Sequence, residues 1–285
     1  MMLAGKVSLK TVRSFVLHVF VLAFSCLMIY PVLWMLSSSL KEGNEIFVNA
    51  HKLIPSVWTF SNYAEGFKGY SGQSFMVFLK NSFIVTISSV LGTVLSCTVV
   101  AYGFARISFK GAAFFFGCMM MTMMLPAEVL TIPQYIFFHK IGWVNTFAPL
   151  IIPSFFGTAF FIFLVVQFLR GLPAELDESA RVDGCGHGGI LFRILLPLLV
   201  PVLITVSIFK FYWTWDDFFS PLLYLTKPEM ATVALALKNM SDNTFGTSWG
   251  MVFAMSIVSL APVFLIFIAL QKYIVEGIST TGMKG

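Results

Sequence analysis

The chain has 285 residues, 58% of them hydrophobic and only 11% charged, with a formal charge of +5. Its mean hydropathy is +0.88 and its pI is near 9.0. A water-soluble core of this length cannot hide so many apolar side chains, which excludes a soluble enzyme, and Lys and Arg scatter through short loops instead of forming the stripe that nucleic acid would need.

Crossing about 30 Å of hydrocarbon takes roughly 20 apolar residues as helix, and backbone polar groups must pair with one another inside lipid. Six stretches qualify, at about 14–36, 82–105, 112–134, 146–168, 197–223 and 249–272. The expected class is therefore an all-α membrane protein with six transmembrane helices, read as one membrane domain over 1–285. Lys6, Lys10 and Arg13 precede the first stretch. Its apolar run, Phe15 to Leu36, is too long for a cleaved signal peptide and has no small-residue cleavage site after it, so it reads as a retained span. With that end in the cytoplasm, an even number of spans returns the C-terminus there, and Arg106, Lys110, Arg170, Arg181 and Arg193 also fall inside.

The outward segment 38–80 carries Lys41, Lys52 and Lys68. It also holds Pro55, Trp58, Asn62, Tyr63, Gly66 and Gly69, a mixture that predicts an ordered cap. Cys26, Cys97, Cys118 and Cys185 show neither metal-ligand spacing nor a disulfide framework, and His18 reads as a packed residue. A phosphate-cradling Gly-x-x-x-x-Gly-Lys-Ser/Thr loop is absent from the sequence, so ATP-driven work would need a separate subunit.

Charge concentrates between the fourth and fifth stretches, in Glu175-Leu-Asp-Glu-Ser-Ala-Arg-Val-Asp-Gly184 and onward to Ile194-Leu-Leu-Pro197. Pro173 suits a first helical turn. Glu175, Asp177 and Glu178 sit well near a helix's positive end, and Gly184 is a natural stop because glycine accepts the left-handed conformation. A second short helix would carry Leu191–Leu196 towards the membrane. Such a hairpin is a compact, water-facing knob suited to docking another protein. The plainer reading is a cytoplasmic loop that is merely acidic and well capped.

The spacing Glu178-Ser179-Ala180, then Gly184, then Ile194-x-Leu196-Pro197 and Pro201 resembles the EAA loop by which permease subunits of ABC importers engage their ATPase. Ser179 and Cys185 stand where that pattern usually has alanine. The likeness runs in register along nearly the whole chain, through Pro31-Val-Leu-Trp-Met-Leu-Ser-Ser-Ser-Leu-Lys41, Met124-Leu-Pro126 with Ile132-Pro133, Gly142-Trp-Val-Asn145-Thr146, Trp215-Asp-Asp-Phe-Phe-Ser-Pro221 and Gln271-Lys-Tyr-Ile-Val-Glu-Gly277. In these features the chain is similar to the maltose-type permeases, although Asp216 stands where Asn is common. The resemblance implies the type I importer permease fold with a cytoplasmic coupling helix between helices 4 and 5.

It further implies the second permease of a carbohydrate ABC importer in a bacterial or archaeal cytoplasmic membrane. Implied partners are a related permease, an ATPase pair that binds ATP and Mg, an extracytoplasmic solute-binding protein and a sugar. This chain itself would hold no cofactor, no metal and no catalytic residue. The coupling contact would fall to Glu175, Glu178, Ser179, Ala180, Asp183, Gly184 and Cys185. The closing Gly282-Met-Lys-Gly285 reads either as a further ATPase contact or as a frayed end.

Charges inside a span are costly and usually face a cavity or a partner, which singles out Glu128, Lys210, Asp216 and Asp217. At 3.6 residues per turn Lys210, Trp213 and Asp217 share one helix face, while Tyr212 and Asp216 share another. Rings beside charged groups suit sugars, so these six residues are candidates for the pathway. The competing reading has the charges satisfied by water or by the paired permease at the outer end of the span. A cation at Lys210 would suit an acidic sugar or a partner contact. Met119–Met124 reads as core or lipid-facing packing more readily than as a substrate lining, and Gly92, Gly103 and Gly117 as sites of close helix approach. Two rival functions are a self-sufficient ion- or proton-coupled carrier using Glu128 or Asp217, and an intramembrane hydrolase. The second needs a nucleophile with its base or a His-Glu-x-x-His pair, neither of which the sequence offers.

Overall fold

A computed structural model of the chain describes residues 9–242 and 248–282. The elements in order are α1 (Leu9–Ser39), α2 (Gly43–Val48), α3 (Ser61–Lys68), α4 (Phe75–Arg106), α5 (Ala112–Thr122), α6 (Ala127–Lys140) and α7 (Ala148–Ile151). A 3₁₀ turn at Ile152–Phe156 leads to α8 (Ala159–Gly171), α9 (Glu175–Val182), α10 (His187–Gly189), a wide π turn at Ile190–Leu195, and α11 (Leu196–Trp215). After these come α12 (Phe219–Tyr224), α13 (Val233–Met240) and α14 (Trp249–Gly282). Among the described residues there is no strand, only an isolated bridge between Tyr70 and Gln73.

Five helical stretches are long and apolar enough to cross a membrane: Arg13–Ser39, Phe75–Arg106, Ala148–Gly171, His187–Trp215 and Trp249–Tyr273. The expected span at 112–134 is instead two helices, α5 of 11 residues and α6 of 14. The cause is local. Pro126 keeps Leu125 out of helical geometry, and the chain turns through Met123–Leu125 with bonds from Met124 N to Met121 O and from Leu125 N to Thr122 O. At 1.5 Å per residue neither helix reaches across about 30 Å by itself.

The fifth expected span also ends early. α11 stops at Trp215 with Asp216 as its C-cap, and Asp217 Oδ1 accepts from Ser220 N at 3.0 Å to start α12. Asp216 and Asp217 therefore lie in the turn beyond the apolar helix, and Glu128 lies in the first turn of α6. Of the four charges expected inside spans, Lys210 alone sits in one of the five long helices.

The chain forms two compact units. One gathers the described residues through Lys68 together with Met240–Val258. In it the outer segment is ordered around Asn62, whose Nδ2 donates to Ser39 O at 2.9 Å and Lys41 O at 2.8 Å, satisfying carbonyls at the end of α1. A Cβ on Gly250 would meet the Asn62 amide at 2.5 Å, so only glycine fits there. Lys41 is fully buried. Its ammonium donates to Lys52 O at 2.6 Å and Asn49 O at 3.3 Å, and this carbonyl cage replaces water. His18 is exposed on α1, its Nδ1 2.7 Å from Ser14 O.

The other unit comprises Gly69–Asn239 and the described residues from Ser259 onward. Its core lies where the C-terminal half of α4 meets α8, the π turn and α11, and includes Cys97, Phe161, Val165, Leu169, Leu195 and Leu199. Gly92 permits close approach, since a Cβ there would meet the Phe155 ring at 2.6 Å, whereas at Gly103 and Gly117 a Cβ would meet none of the described residues within 4 Å. Asn81 Nδ2 donates to Glu229 O and Ala231 O, Asn145 Oδ1 accepts from both Thr226 N and its hydroxyl, and Trp215 Nε1 donates to Ser259 O. These side chains fix the segments that lead out of α11.

Candidate functional site

The charged hairpin is built as helix, turn and helix. Pro173 precedes α9 instead of opening it: the first carbonyl of the turn belongs to Ala174, which accepts from Asp177 N at 3.0 Å. The helix ends in a Schellman turn, with Gly184 at φ +81°. Cys185 N donates to Ala180 O at 2.9 Å and Gly184 N to Arg181 O at 3.0 Å, satisfying the carbonyls left over at the helix end. Beyond it α10 and the π turn lead into α11, burying Ile190, Leu191 and Leu195.

This geometry sorts the residues the sequence singled out. Glu175, Glu178, Ser179, Asp183 and Gly184 are exposed. Ala180 is buried in the core and Cys185 packs against that core, so neither belongs to the outward surface. Spacing of three, four and seven residues puts Glu175, Glu178, Ser179 and Val182 on one face. Val182 is 87% exposed, an apolar side chain among carboxylates that a search for charge overlooks.

Asp177 points the other way. Its Oδ2 lies 3.0 Å from Arg106 Nε at the end of α4, and Arg106 Nη2 donates to Leu172 O at 3.0 Å. One turn earlier on α4, Tyr102 OH lies 3.2 Å from His187 Nδ1 on the far arm of the hairpin. The sequence reading missed these anchors. The only available signal was the i, i+4 placement of Tyr102 and Arg106 at the charged end of an apolar helix.

A second feature is a cavity of about 460 Å³ bounded by α4, α6, the segment 149–154, α11 and α12. Glu128, Lys210, Trp213 and Asp217 all line it, with Thr131, Gln134 and Ser220, and of these Lys210 and Trp213 come from one face of α11. Tyr212 does not. It lines an apolar groove with Phe211, Val263 and Phe267, and the exposed Asp216 is absent from the cavity wall. No methionine of 119–124 reaches the cavity. Among the described residues no cluster of His, Cys, Asp and Glu suits a metal ion.

Long apolar helices, an exposed hairpin rooted in the core and a polar cavity bounded by α6 and α11 define a multi-pass membrane protein of the transporter class. The chain belongs to the family of binding-protein-dependent transport system inner membrane components, which matches residues 91–280. It is 33% identical to the probable ABC transporter permease protein YurM of Bacillus subtilis (strain 168), over 94% of this chain and 87% of that one. It is 30% identical to the arabinooligosaccharides transport system permease protein AraQ of the same organism, over 96% of this chain and 97% of AraQ. With the galactooligosaccharides transport system permease protein GanQ, also from Bacillus subtilis (strain 168), identity is 28% over the full length of both. A bacterial ABC transporter that imports the acidic polysaccharide alginate has a chain of the same fold, with a TM-score of 0.83, 21% identity, and coverage of 95% of this chain and 99% of that one.

Proposed function

We propose that this chain is a translocation subunit of an ATP-driven importer for a sugar or oligosaccharide. It forms half of the pathway with a second, related permease, and both of its termini face the cytoplasm. α5 and α6 together make one broken crossing, which brings the spans to six within one permease domain. An ATPase pair, which binds ATP and Mg and carries all the catalysis, docks on the outward face of α9 through Glu175, Glu178, Ser179 and Val182, with Asp183 and Gly184 at its end. A solute-binding protein delivers the sugar from outside. The oligosaccharide relatives AraQ and GanQ support the substrate class.

The observation that carries this reading is the rooting of the hairpin. Its outward face is free for a partner, while its inward face is tied to α4 by Arg106 and Asp177 and runs without a break into α11. Movement of a docked partner is thereby passed to two membrane helices. Purification from the native membrane in mild detergent should recover a second permease and a Walker-motif ATPase, and reconstituted uptake should need ATP hydrolysis. Recovery of this chain alone, with uptake that an uncoupler abolishes while ATP persists, would make it a self-sufficient secondary carrier.

A further inference from the structure

The cavity beside α11 carries a more specific assignment. Its volume of about 460 Å³ falls within the range of about 300–1,000 Å³ typical of small-molecule sites. Lys210 projects into it from an apolar helix and makes no ion pair or side-chain hydrogen bond among the described residues. An ammonium placed in a span costs about 2.5–3.5 kcal/mol and is retained where a cavity or ligand satisfies it.

The rest of the wall says what that ligand is. Glu128 and Asp217 face the same space, so among the described residues one cation meets two carboxylates and the wall is net negative. An anionic sugar would be repelled there. A neutral sugar's hydroxyls both donate and accept, so one ring can donate to the carboxylates and accept from the ammonium. Asp217 is fixed by its bond from Ser220 N at 3.0 Å. Trp213 is propped against Phe160 and Phe161, with ring centroids 5.5 and 5.2 Å away, and it offers an aromatic surface for the apolar face of a pyranose. Tyr224 stands on the same wall.

We propose that this cavity binds one uncharged sugar ring of the transported solute, with Lys210, Asp217 and Glu128 reading its hydroxyls and Trp213 stacking on it, and that it selects against uronic acids. The assignment rests on the permease reading above.

The test uses the complete complex, recovered from the native membrane and reconstituted in proteoliposomes with internal ATP. The probes are maltotriose, arabinotriose, galactobiose and digalacturonate. ATP-driven uptake of a neutral probe is expected, with digalacturonate rejected. Lys210→Met and Asp217→Asn should each raise the KM for that probe about tenfold, equivalent to about 1.4 kcal/mol. Tyr212→Phe, outside the cavity, should leave it unchanged. An unchanged KM in both cavity variants, preference for digalacturonate, or uptake of no neutral probe overturns the assignment. Loss of the second permease from the Lys210→Met complex also overturns it and gives Lys210 to the subunit contact. Uptake that continues without ATP strikes the permease reading instead.

Discussion

Arg106 Nε lies 3.0 Å from Asp177 Oδ2, and both side chains are more than nine-tenths buried. The N–H is not aimed along a hydrogen bond and Asp177 Oδ1 has no partner among the described residues, so the contact acts chiefly through charge. A long membrane helix is thus fastened to the inner side of the hairpin that faces a partner on its outer side. Breaking a buried pair from one end costs about 3–5 kcal/mol, because it strands the other charge.

Arg106→Gln or Asp177→Asn should therefore loosen α9 from α4 while leaving its outward face intact. In the reconstituted complex, ATP hydrolysis should continue and solute moved per ATP should fall several-fold. The double variant Arg106→Asp with Asp177→Arg should recover part of that ratio. Normal coupling in both single variants would remove the pair from the transmission route.

Glu178→Lys reverses charge on the exposed face of α9 without touching the core. Surface changes of this kind shift stability by about 0.5 kcal/mol or less, so the melting temperature should hold while the ATPase subunit is lost on purification. Retention of a full complement of ATPase would place the docking surface elsewhere.

Gly184→Ala tests the turn itself. The added methyl meets no neighbour, so the cost is backbone alone, about 1–2 kcal/mol for a left-handed residue with a Cβ. The complex should assemble with a modestly lower melting temperature and reduced coupling. No change in either would show that the turn tolerates a different geometry.

Asn62→Ala should destabilise the outer segment. It leaves the carbonyls of Ser39 and Lys41 without their donor in a buried setting, a loss of about 1–3 kcal/mol. Faster proteolysis between α2 and α3, with the segment from α4 to α12 still protected, is the expected pattern.

Glu45 provides a pH test in the same segment. Bonding from Ser56 holds its carboxyl below its ordinary value of 4.5. A lowered carboxyl pKa gives stability that is fully present above 4.5 and lost as pH falls through the depressed value. Protection of the α2 to α3 loop from protease should be flat above the ordinary value of 4.5 and be lost as pH falls through the depressed one, and Glu45→Gln should abolish the step. A step of equal size in the variant would assign it to another group.

How much of this was legible in the sequence follows from how local each signal is. The apolar stretches are self-contained, because a run of about 20 residues faces lipid whatever its neighbours do. The hairpin was equally readable: acids at its start and Gly184 at its stop act within one or two turns, and the glycine is left-handed as expected. The common face of Lys210 and Trp213 was also legible, since helical periodicity fixes it, whereas Asp217 reaches the same cavity from the turn beyond α11.

Only the tertiary structure decided the rest. An apolar count does not register the turn before Pro126 or the stop at Asp216, because composition is the same on both sides of a break, so Asp216 and Asp217 fall in the turn beyond α11 and Glu128 in the first turn of α6. The burial of Lys41 depends on the carbonyls of Asn49 and Lys52, which the folded outer segment brings to its ammonium. The partnership of Arg106 with Asp177 and the joining of Glu128 to the α11 face depend on segments distant in the chain. No local pattern encodes such contacts. They arise when α4, α6, α9 and α11 pack, and burial then makes each charge seek a partner or a ligand.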